Sequence, residues 1–400
     1  MHREPQLAQL VRRKKEMVVD LLDHLCQQIE ISESQYQTAK GRYEAVGLWL
    51  SESTSPYLNQ ALVYPQGSVA LGTAIKPLLA NEFDVDLVCH LPILTRNSDA
   101  SAVKALVGNR LKEHATYKGM LEEKARCWRI NYANEFHLDI TPSIVNVSCI
   151  HGGELVPDRA LATWKPTNPK GYVRKFEGYA AIKPRFYLAE MSFAEARAKV
   201  DPLPIPTMSK PVLKRIVQLL KRHRDQMFCG TKRAELAPIS VIISTLAAWA
   251  YAKCATEQIH DDVFDFITAV IRAMPTFIRR EPRASGEHFV IENETAVGEN
   301  FADKWNSDAR LANAFFEWHQ DALTSVDSLL QIDGIDKYAE ALATKFGAKK
   351  DQVRATLASI SDPIGRARSA GQLSVSPSVG LITSHAFGSV AVPKNTFFGR

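Results

Sequence analysis

The spacing of apolar residues changes twice along the chain. Over residues 7–52 they recur at three- and four-residue steps, which predicts a long amino-terminal helical segment. Short β-rich runs follow at residues 62–64, 83–91, 125–132, 136–140 and 144–150, with one helix predicted at 101–114. Helical spacing returns in residues 211–227, 238–255, 264–274, 302–323 and 335–358. These patterns predict an α+β protein in which a mixed sheet precedes a helical region.

Proline-rich and polar segments indicate where the predicted domains meet. Residues 201–211 contain four prolines, which favours a linker, and residues 164–178 are rich in Pro, Lys and Asn, which favours a loop. The last thirty residues carry only Lys394 and Arg400 as charges and are dense in Ser, Gly, Val and Pro, which is typical of a flexible or docked tail. We therefore predict a helix and sheet domain at residues 1–200, a helical domain at 201–370 and a tail at 371–400.

The overall composition is that of a folded protein. Hydrophobic residues make up 46% and charged residues 23% of the 400 positions, which excludes a largely disordered or collagen-like chain. The net charge of +5 is too small for a general nucleic-acid coat but allows a local basic pocket. Six scattered cysteines without a CxxC pair predict reduced core thiols. Neither a secretory signal nor a membrane span is evident, so we expect a cytoplasmic protein without a membrane partner.

Two carboxylates are predicted to stand on one face of a single strand. Asp84 and Asp86 alternate with apolar residues in the run 83–91, and successive side chains of a strand point to opposite faces. Adjacent carboxylates repel each other unless a cation lies between them. The preceding Gln66-Gly67-Ser68 turn is expected to expose its backbone to a phosphate group. Mg²⁺ is the expected ion, with Mn²⁺ as the alternative, because no His or Cys cluster has zinc spacing.

A third carboxylate, Asp139, lies in the next predicted β run. Neighbouring strands are about 4.8 Å apart, so three carboxylates on two strands can hold two ions about 4 Å apart. This arrangement stabilises the attacking and leaving oxygens of a phosphoryl transfer, and Asp139 would also help to deprotonate an attacking ribose hydroxyl. Glu82 shares the predicted face and is interpreted as a helper or a surface residue. Each motif alone is common in turns and solvated strands, whereas their combination favours a site.

A basic helix is predicted downstream of the linker. Residues 208–233 hold eight Lys or Arg against one acidic residue. One interpretation is a solvated basic face. The other is triphosphate binding, for which Lys221 is the first candidate, while Ser240 at the start of the following helix supplies a hydroxyl group. His137 and His223 are interpreted as structural.

These motifs together resemble a known enzyme family. Gly67-Ser68, Asp84-x-Asp86 and Asp139 within FHLDITP resemble the DNA polymerase β-like nucleotidyltransferase superfamily, and QLLKRHRD with the downstream PIS looks like its oligoadenylate synthase and cyclic GMP-AMP synthase branch. The stretches NYANEFHLDITPSI, NPKGY and GENFADKW are similar to bacterial cGAS/DncV-like nucleotidyltransferases, most closely to clade D. The resemblance implies a bilobed fold: a nucleotidyltransferase palm with a long amino-terminal spine helix, and a helical lobe.

The resemblance also implies an activity. It is the synthesis, from nucleoside triphosphates, of a 3′-linked cyclic di- or trinucleotide second messenger in anti-phage (CBASS) defence, with ATP expected as a substrate and GTP as a second candidate. It places Ser68 near the triphosphate, Lys221 and Ser240 on phosphate groups, and the three aspartates on magnesium. Tyr172 and Arg174 are candidate base contacts. No double-stranded DNA trigger is expected.

The tail is expected to bind a regulator. The resemblance offers a ubiquitin-transfer-like enzyme or a HORMA-type protein as that partner. Arg400 would have to be removed before conjugation through the preceding glycine, so HORMA-type control stays open. Removal of residues 371–400 is expected to leave the activity of the purified enzyme intact.

Three other functions remain open from the sequence. A linear polymerase or an RNA-modifying transferase on the same scaffold would leave a product with a free end. A nucleotide-binding protein without turnover is disfavoured because all three aspartates are present. An RNA-binding module built on the basic helix would bind RNA in a salt-sensitive way that survives Asp84→Ala.

Overall fold

The structure is a computed structural model that describes residues 3–78, 82–133, 135–158, 163–187, 210–283, 286–361, 374–376, 380–382 and 390–391. Contacts divide the chain into two compact units, residues 26–327 and residues 1–25 together with 328–400. The predicted linker around residue 201 lies outside the described residues, so the domain division at that point stays a prediction.

The amino-terminal helical segment consists of two helices. α1 spans Arg3–Ile29 and α2 spans Glu33–Ser51. At the break, the Ser32 hydroxyl accepts a hydrogen bond from the Gln35 backbone N–H, and the Gln35 side chain accepts one from the Ser32 N–H. This reciprocal capping satisfies N–H groups that have no partner inside a helix, and it therefore fixes where α2 begins.

A seven-stranded mixed sheet forms the centre of the larger unit. Its strands are β1 (Leu62–Pro65), β2 (Phe83–Leu91), β3 (Leu121–Glu123), β4 (Trp128–Tyr132), β5 (Phe136–Val145), β6 (Glu154–Asp158) and β7 (Thr163–Thr167). The order is β1-β2-β5-β4-β3, and β6 joins β5 to β7. β2 and β5 run parallel, and the other pairs are antiparallel. The predicted mixed sheet is confirmed.

Alternation along β2 and β5 separates an apolar face from a polar one. Val85, Leu87, Leu138 and Ile140 are buried in the core, where α4 (Ala100–Glu113) packs against them through residues such as Val107. Because side chains alternate along a strand, the polar residues of the same strands face the other side of the sheet. One face of the sheet thus packs in the core, and the other face presents the polar residues of β2 and β5.

The predicted loop at residues 164–178 is wrong. Its first part is strand β7, and its second part is helix α6 (Pro169–Ala180). The Asn168 side chain accepts a hydrogen bond from the Gly171 N–H at 2.9 Å, and Pro169 occupies the first helical position, where a backbone N–H would have no helical partner. The Pro, Lys and Asn residues therefore mark the start of a helix.

Helices dominate the rest of the described chain. The main ones are α7 (Val212–Phe228), α8 (Ser240–Glu257), α9 (Val263–Ala273), α10 (Ala309–Ser328), α11 (Ile335–Phe346) and α12 (Lys350–Ser361). A β-hairpin that the apolar spacing does not indicate, Arg279–Arg283 paired with Gly286–Val290, lies between α9 and α10. Shorter elements are the helices α3 (Gly67–Ala70) and α5 (Ala115–Lys118), the strand pair Arg185–Phe186 and Ile259–His260, and the tail strands Ser374–Ser376, Gly380–Ile382 and Val390–Ala391.

Helix α7 is buried along much of its length, which contradicts a solvated basic face. Arg215 is 2% exposed and Lys221 is 5% exposed. Arg215 forms an ion pair with Glu30 at 2.7 Å, and Arg222 donates to the backbone carbonyl of Lys76. The charges of this helix are thus partnered inside the protein, because long cationic side chains can bury their stems when their tips find acceptors.

Apolar residues of α8 account for the one candidate membrane segment in the described part of the chain. Residues 234–257 are long and apolar enough to cross a bilayer, but 56% of the window is buried inside the protein. A core helix passes the same test, so this is weak evidence for a membrane protein. All six cysteines lie within the described residues and are thiols rather than disulfides, and Cys26, Cys89, Cys149 and Cys254 are buried.

Candidate active site

The three predicted aspartates lie on the polar face of adjacent strands. In the parallel pairing of β2 with β5, Asp86 stands opposite Asp139 and Asp84 stands opposite His137. On the other side of β5, Asp139 stands opposite Arg129 of β4. Asp86, Asp139 and Arg129 therefore form one row across three strands, and the structure brings the predicted carboxylates together.

The Arg129 guanidinium bridges two of the three aspartates. Its Nε and Nη2 donate to the two Asp139 carboxylate oxygens at 2.7 and 2.8 Å, and Nη2 also donates to Asp84 Oδ1 at 3.0 Å. The hydrogen bond with Asp139 raises the pKa of Arg129 above its usual value. A fixed positive charge between two carboxylates shows that this position of the sheet favours a cation.

His137 and Glu82 extend the cluster along the same face. His137 Nε2 lies 2.9 Å from Glu82 Oε2, and His137 Nδ1 lies 3.2 Å from Asp84 Oδ1. The histidine interpreted as structural from the sequence therefore contacts two acidic side chains of the site. His223, in contrast, is buried in α7, where its Nε2 lies 3.2 Å from the Ser325 hydroxyl and 3.2 Å from Asp321 Oδ2.

Asp86 is half-buried, and its surroundings shift its pKa strongly. The pKa of Asp86 is raised to about 7, chiefly by burial and then by the charges of Asp139 and Asp84, while the charges of Lys221 and Arg129 lower it. Carboxylates with raised pKa values beside like charges are typical of functional sites, because the folded chain keeps them together at a cost in stability.

A tight turn brings backbone against Asp86. Gly67 has φ +62°, and a Cβ at this position would lie 2.4 Å from Asp86 Oδ2. The Gln66 N–H donates to the Asp86 carbonyl at 2.8 Å, which fixes the turn to β2. Ser68 follows in the turn, and its carbonyl accepts from the Thr73 N–H at 2.9 Å. Only glycine allows this approach, so the Gly-Ser motif and the Asp-x-Asp motif form one structural unit.

Lys221 and Ser240 reach the same region from the helical part of the chain. Lys221 Nζ donates to the Thr73 carbonyl at 2.9 Å, and burial, with the charge of Arg224 second, lowers the pKa of Lys221 to about 7. The Ser240 hydroxyl accepts a hydrogen bond from Arg224 Nη1 at 2.9 Å, which leaves the hydroxyl proton available to a ligand. A cation and a hydroxyl group thus lie beside the Gly67 turn.

A cleft of about 560 Å³ joins these groups. Its walls include seven of the nine predicted site residues: Gln66, Gly67, Ser68, Asp86, Tyr172, Lys221 and Ser240. Asp84 and Asp139 lie beside it on the same sheet face. The motif GENFADKW contributes residues 298–301 together with Asp303 and Lys304 to the wall, although the sequence pattern assigns no role to them. The volume suits a nucleotide-sized ligand.

Tyr172 lines the cleft, whereas Arg174 is exposed on α6. The Tyr172 hydroxyl lies 2.8 Å from Thr245 Oγ1, and its ring meets the edge of the Phe301 ring at a centroid distance of 5.9 Å. Burial raises the pKa of Tyr172. The ring is therefore held rigidly at the wall, in a position where it can contact a planar ligand.

Two residues of the site were missed from the sequence. Arg129 alternates with buried Trp128 and Ile130 in β4, so the period of two places it on the polar face. Glu299 lies within GENFADKW, and no periodicity there indicates that its carboxylate lines the cleft. The first could have been found from strand alternation, and the second depends on the tertiary fold.

The carboxylates fit a divalent cation, and Arg129 regulates their availability. Among the residues that the structure describes, no three acidic, histidine or cysteine side chains form a preassembled metal cluster. The reason is visible in the hydrogen bonds, since both Asp139 oxygens are held by Arg129. Oxygen donors alone suit a hard ion such as Mg²⁺. A cation that binds Asp139 must therefore share these oxygens with the Arg129 guanidinium or displace it.

Comparisons with known proteins agree with this geometry. A family model described as the Second Messenger Oligonucleotide or Dinucleotide Synthetase domain matches residues 17–179. A c-di-GMP synthase of Roseivirga ehrenbergii is 28% identical over 386 residues, which are 96% of this chain and 98% of that protein. The cyclic dinucleotide synthase CdnG of Bradyrhizobium diazoefficiens is 26% identical over 304 residues, which are 71% of this chain and 69% of that protein.

Solved structures share the fold. The structure of B. diazoefficiens CdnG in complex with GTP superposes with a TM-score of 0.64 at 22% identity, over 86% of this chain and 97% of that one. The E. coli MS115-1 CdnC:HORMA-deltaN complex gives a TM-score of 0.57 at 11% identity, over 82% and 96% of the two chains. These matches confirm the predicted polymerase β-like fold class, a mixed sheet with helices.

Proposed function

Since the chain is a cGAS/DncV-like nucleotidyltransferase, we propose that it joins two nucleoside triphosphates through 3′ linkages and closes them into a cyclic dinucleotide. The observation that carries the proposal is the pairing of Asp86 with Asp139 on parallel strands, directly beside the Gly67 turn and the nucleotide-sized cleft. The near-complete overlap with a c-di-GMP synthase supports the cyclic product. Similarity to clade D stays a prediction.

Each residue of the site has a defined role in this reaction. Asp139 accepts the proton of the attacking 3′ hydroxyl, after Arg129 releases its carboxylate. Lys221 and Ser240 contact the triphosphate, and the backbone of Gly67 and Ser68 approaches its oxygens from the other side.

Members of this family generally use divalent metal ions. We propose that Asp84, Asp86 and Asp139 hold them here, with Mg²⁺ or Mn²⁺ as the ion. When bound, such a cation neutralises the charge of the departing pyrophosphate and acidifies the attacking hydroxyl group. Because burial and mutual repulsion raise the pKa of Asp86 to about 7, a cation at this position also relieves a cost already present in the folded chain.

We propose guanine as a base of the product. One relative is named a c-di-GMP synthase, and the CdnG structure holds GTP. The adenine-containing product expected from the sequence resemblance, with ATP as substrate, remains the alternative prediction. Base identity depends on polar groups at the cleft wall, because a buried site that pairs with one hydrogen-bonding edge rejects another.

The biological setting follows from the family. We propose that the product serves as a second messenger in anti-phage defence, and that residues 371–400 bind a regulator of the ubiquitin-transfer or HORMA type. A HORMA protein accompanies the structurally similar CdnC. Most of the tail lies outside the described residues, so this proposal rests on sequence. A chain truncated at residue 370 should retain the activity of the purified enzyme, and loss of that activity would contradict the regulatory role.

The product assay tests the catalytic proposal. Purified protein is incubated with Mg²⁺ or Mn²⁺ and the four ribonucleoside triphosphates, treated with phosphatase, and the products are identified by mass. We expect a phosphatase-resistant cyclic dinucleotide that disappears in Asp86→Asn and persists in Glu135→Gln, a matched amide substitution at an exposed turn. Linear products that phosphatase shortens would favour the polymerase alternative.

A further inference from the structure

Glu299 lines the cleft from a turn with little freedom to move. The Asn293 N–H donates to the Glu299 carbonyl at 2.9 Å, and the Glu299 N–H donates to the Ala296 carbonyl at 3.2 Å. Gly298, with φ +85°, makes the reversal that places Glu299 on the cleft wall. Hydrogen bonds at both the N–H and the carbonyl group of Glu299 therefore fix its backbone.

A second set of bonds secures the end of this turn. Asn300 Oδ1 accepts from the backbone N–H groups of Ile291 and Ala302 at 2.8 and 3.0 Å, and Asn300 Nδ2 donates to the Phe289 carbonyl at 3.0 Å. A side chain that bridges three backbone groups holds its segment in one conformation. A residue that distinguishes one ligand from another requires such a fixed position.

The Glu299 carboxylate has acceptor capacity that the protein does not use. Asn293 Nδ2 donates to Oε2 at 2.7 Å, and the Thr167 side chain is a second hydrogen-bond partner. A carboxylate has about four acceptor positions, so two remain. Burial raises the pKa of Glu299 to about 7, and the charge of Arg126 offsets this only in part. A cleft carboxylate without full charge compensation is stabilised best by a ligand that donates hydrogen bonds.

Of the two purine bases, guanine has the hydrogen-bond donors that fit the Glu299 carboxylate. The pairing edge of guanine presents two adjacent donors, the N1–H and the 2-amino group, whereas the pairing edge of adenine presents one donor and one acceptor. The two oxygens of the Glu299 carboxylate can therefore accept hydrogen bonds from both donors of guanine. Tyr172 and Phe301 line the same cleft and offer ring surfaces for a planar base.

We propose that Glu299 determines base specificity by accepting hydrogen bonds from the N1–H and 2-amino groups of guanine. This assignment rests on the proposed function, in which GTP is a substrate. The assignment also predicts that Glu299→Gln shifts the base preference from guanine towards adenine. The glutamine amide carries one acceptor and one donor, which match the pairing edge of adenine.

Equilibrium binding tests the assignment without turnover. GTP, ITP and ATP are titrated with Mg²⁺ into the full chain carrying Asp139→Asn. ITP has the N1–H of GTP but lacks the 2-amino group, so GTP should bind about tenfold more tightly than ITP. With Glu299→Gln added, the GTP/ITP ratio should fall to within about twofold and ATP should bind at least as well as GTP. Glu292→Gln, an exposed glutamate of the same segment paired with Arg279, is the matched control and should leave both ratios unchanged.

The outcomes separate this inference from the proposed function. Equal binding of GTP and ITP by the chain that keeps Glu299 would overturn the inference, and this comparison does not depend on whether the Glu299 variant folds. An unchanged GTP/ATP ratio in a folded Glu299→Gln protein would overturn it as well. If Glu299 controls the ratios but the wild-type chain forms no cyclic product, the base assignment stands and the proposed reaction fails. If a cyclic product forms and the ratios are independent of Glu299, the proposed reaction stands and the base assignment fails.

Discussion

Arg129 binds both carboxylate oxygens of Asp139, with distances of 2.7 Å from Nε to Oδ1 and 2.8 Å from Nη2 to Oδ2. The same guanidinium lies 3.0 Å from Asp84 Oδ1. One guanidinium charge is thus shared between two of the three predicted metal ligands. Any cation that binds Asp139 must therefore compete with a bidentate charge-assisted contact, which is among the stronger polar interactions in proteins.

Removal of the arginine should therefore strengthen cation binding. We expect Arg129→Gln to bind Mn²⁺ about tenfold more tightly than the wild-type chain, because the competing guanidinium is lost. Mn²⁺ affinity is measured by titration calorimetry in the absence of nucleotide. Arg126→Gln removes an arginine of the cleft wall that pairs with Asp158 at 3.0 Å, and serves as the control. Equal affinity in Arg129→Gln would contradict this competition, and weaker affinity would show that the arginine helps to hold the ion.

Asp139 is predicted to act in turnover more than in folding. Asp139→Asn keeps the shape of the side chain but removes the basic oxygen, so we expect the rate of product formation to fall about a hundredfold or more. The thermal unfolding midpoint should fall only slightly, because the amide oxygen keeps one of the two hydrogen bonds from Arg129 and the repulsion between Asp139 and Asp86 is removed. Product mass spectrometry gives the rate and calorimetry gives the midpoint. Retention of full activity would exclude Asp139 as the proton acceptor.

The Gly67 turn tolerates no side chain. In Gly67→Ala the new Cβ would lie 2.4 Å from Asp86 Oδ2 in a backbone conformation with φ +62°, so we expect a loss of about 1–3 kcal/mol in unfolding free energy together with a large loss of activity. Gly41 lies within α2 and has nothing within 4 Å of the added Cβ. Gly41→Ala should stabilise the chain by about 0.5–1 kcal/mol and leave activity unchanged. Similar denaturation curves for the two variants would contradict the close approach.

Glu299 should make stability depend on pH in a defined window. Its pKa is raised from 4.5 to about 7 in the folded chain, so the folded state binds more protons than the unfolded state between these values, and stability falls as pH rises through them. The charged groups that act on it are Arg126, which lowers its pKa, and Asp303, which raises it. Glu299→Gln removes this dependence. The unfolding free energy of the variant relative to wild type should rise by about 1–3 kcal/mol from pH 4.5 to 7, and a flat difference in urea titrations would contradict the burial cost.

Local alternation made the catalytic face predictable. The run 83–91 is strand β2 with the predicted bounds, and its period of two places Asp84 and Asp86 on one face. Asp139 lies on the neighbouring strand as expected, because its own run alternates in the same way. The same rule extends to Arg129. These residues were accessible from sequence since strand geometry alone decides which side chains share a face.

Tertiary contacts decided what the sequence could not show. A solvated face and a triphosphate-binding face both remained open for α7, because a helical pattern describes only its own residues. In the structure Lys221 donates to the Thr73 carbonyl and Arg215 pairs with Glu30, and both partners are far away in the chain. The segment 164–178 has the composition of a loop, but Asn168 and Pro169 begin a helix. The placement of Glu299 in the cleft depends on a turn closed by side-chain hydrogen bonds, for which no periodicity exists.

The ratio of pyrophosphate released to nucleotide incorporated tests the central claim most directly. Ring closure removes pyrophosphate from every nucleotide, so a cyclic dinucleotide yields two pyrophosphates for two nucleotides, whereas a linear dinucleotide keeps one triphosphate and yields one. With purified chain, GTP, ATP and Mg²⁺ or Mn²⁺, we predict a product of dinucleotide mass with a ratio of about one pyrophosphate per incorporated nucleotide, lost in Asp86→Asn. A ratio of about one half, or no pyrophosphate above the level of the variant, would contradict a cyclic dinucleotide synthase.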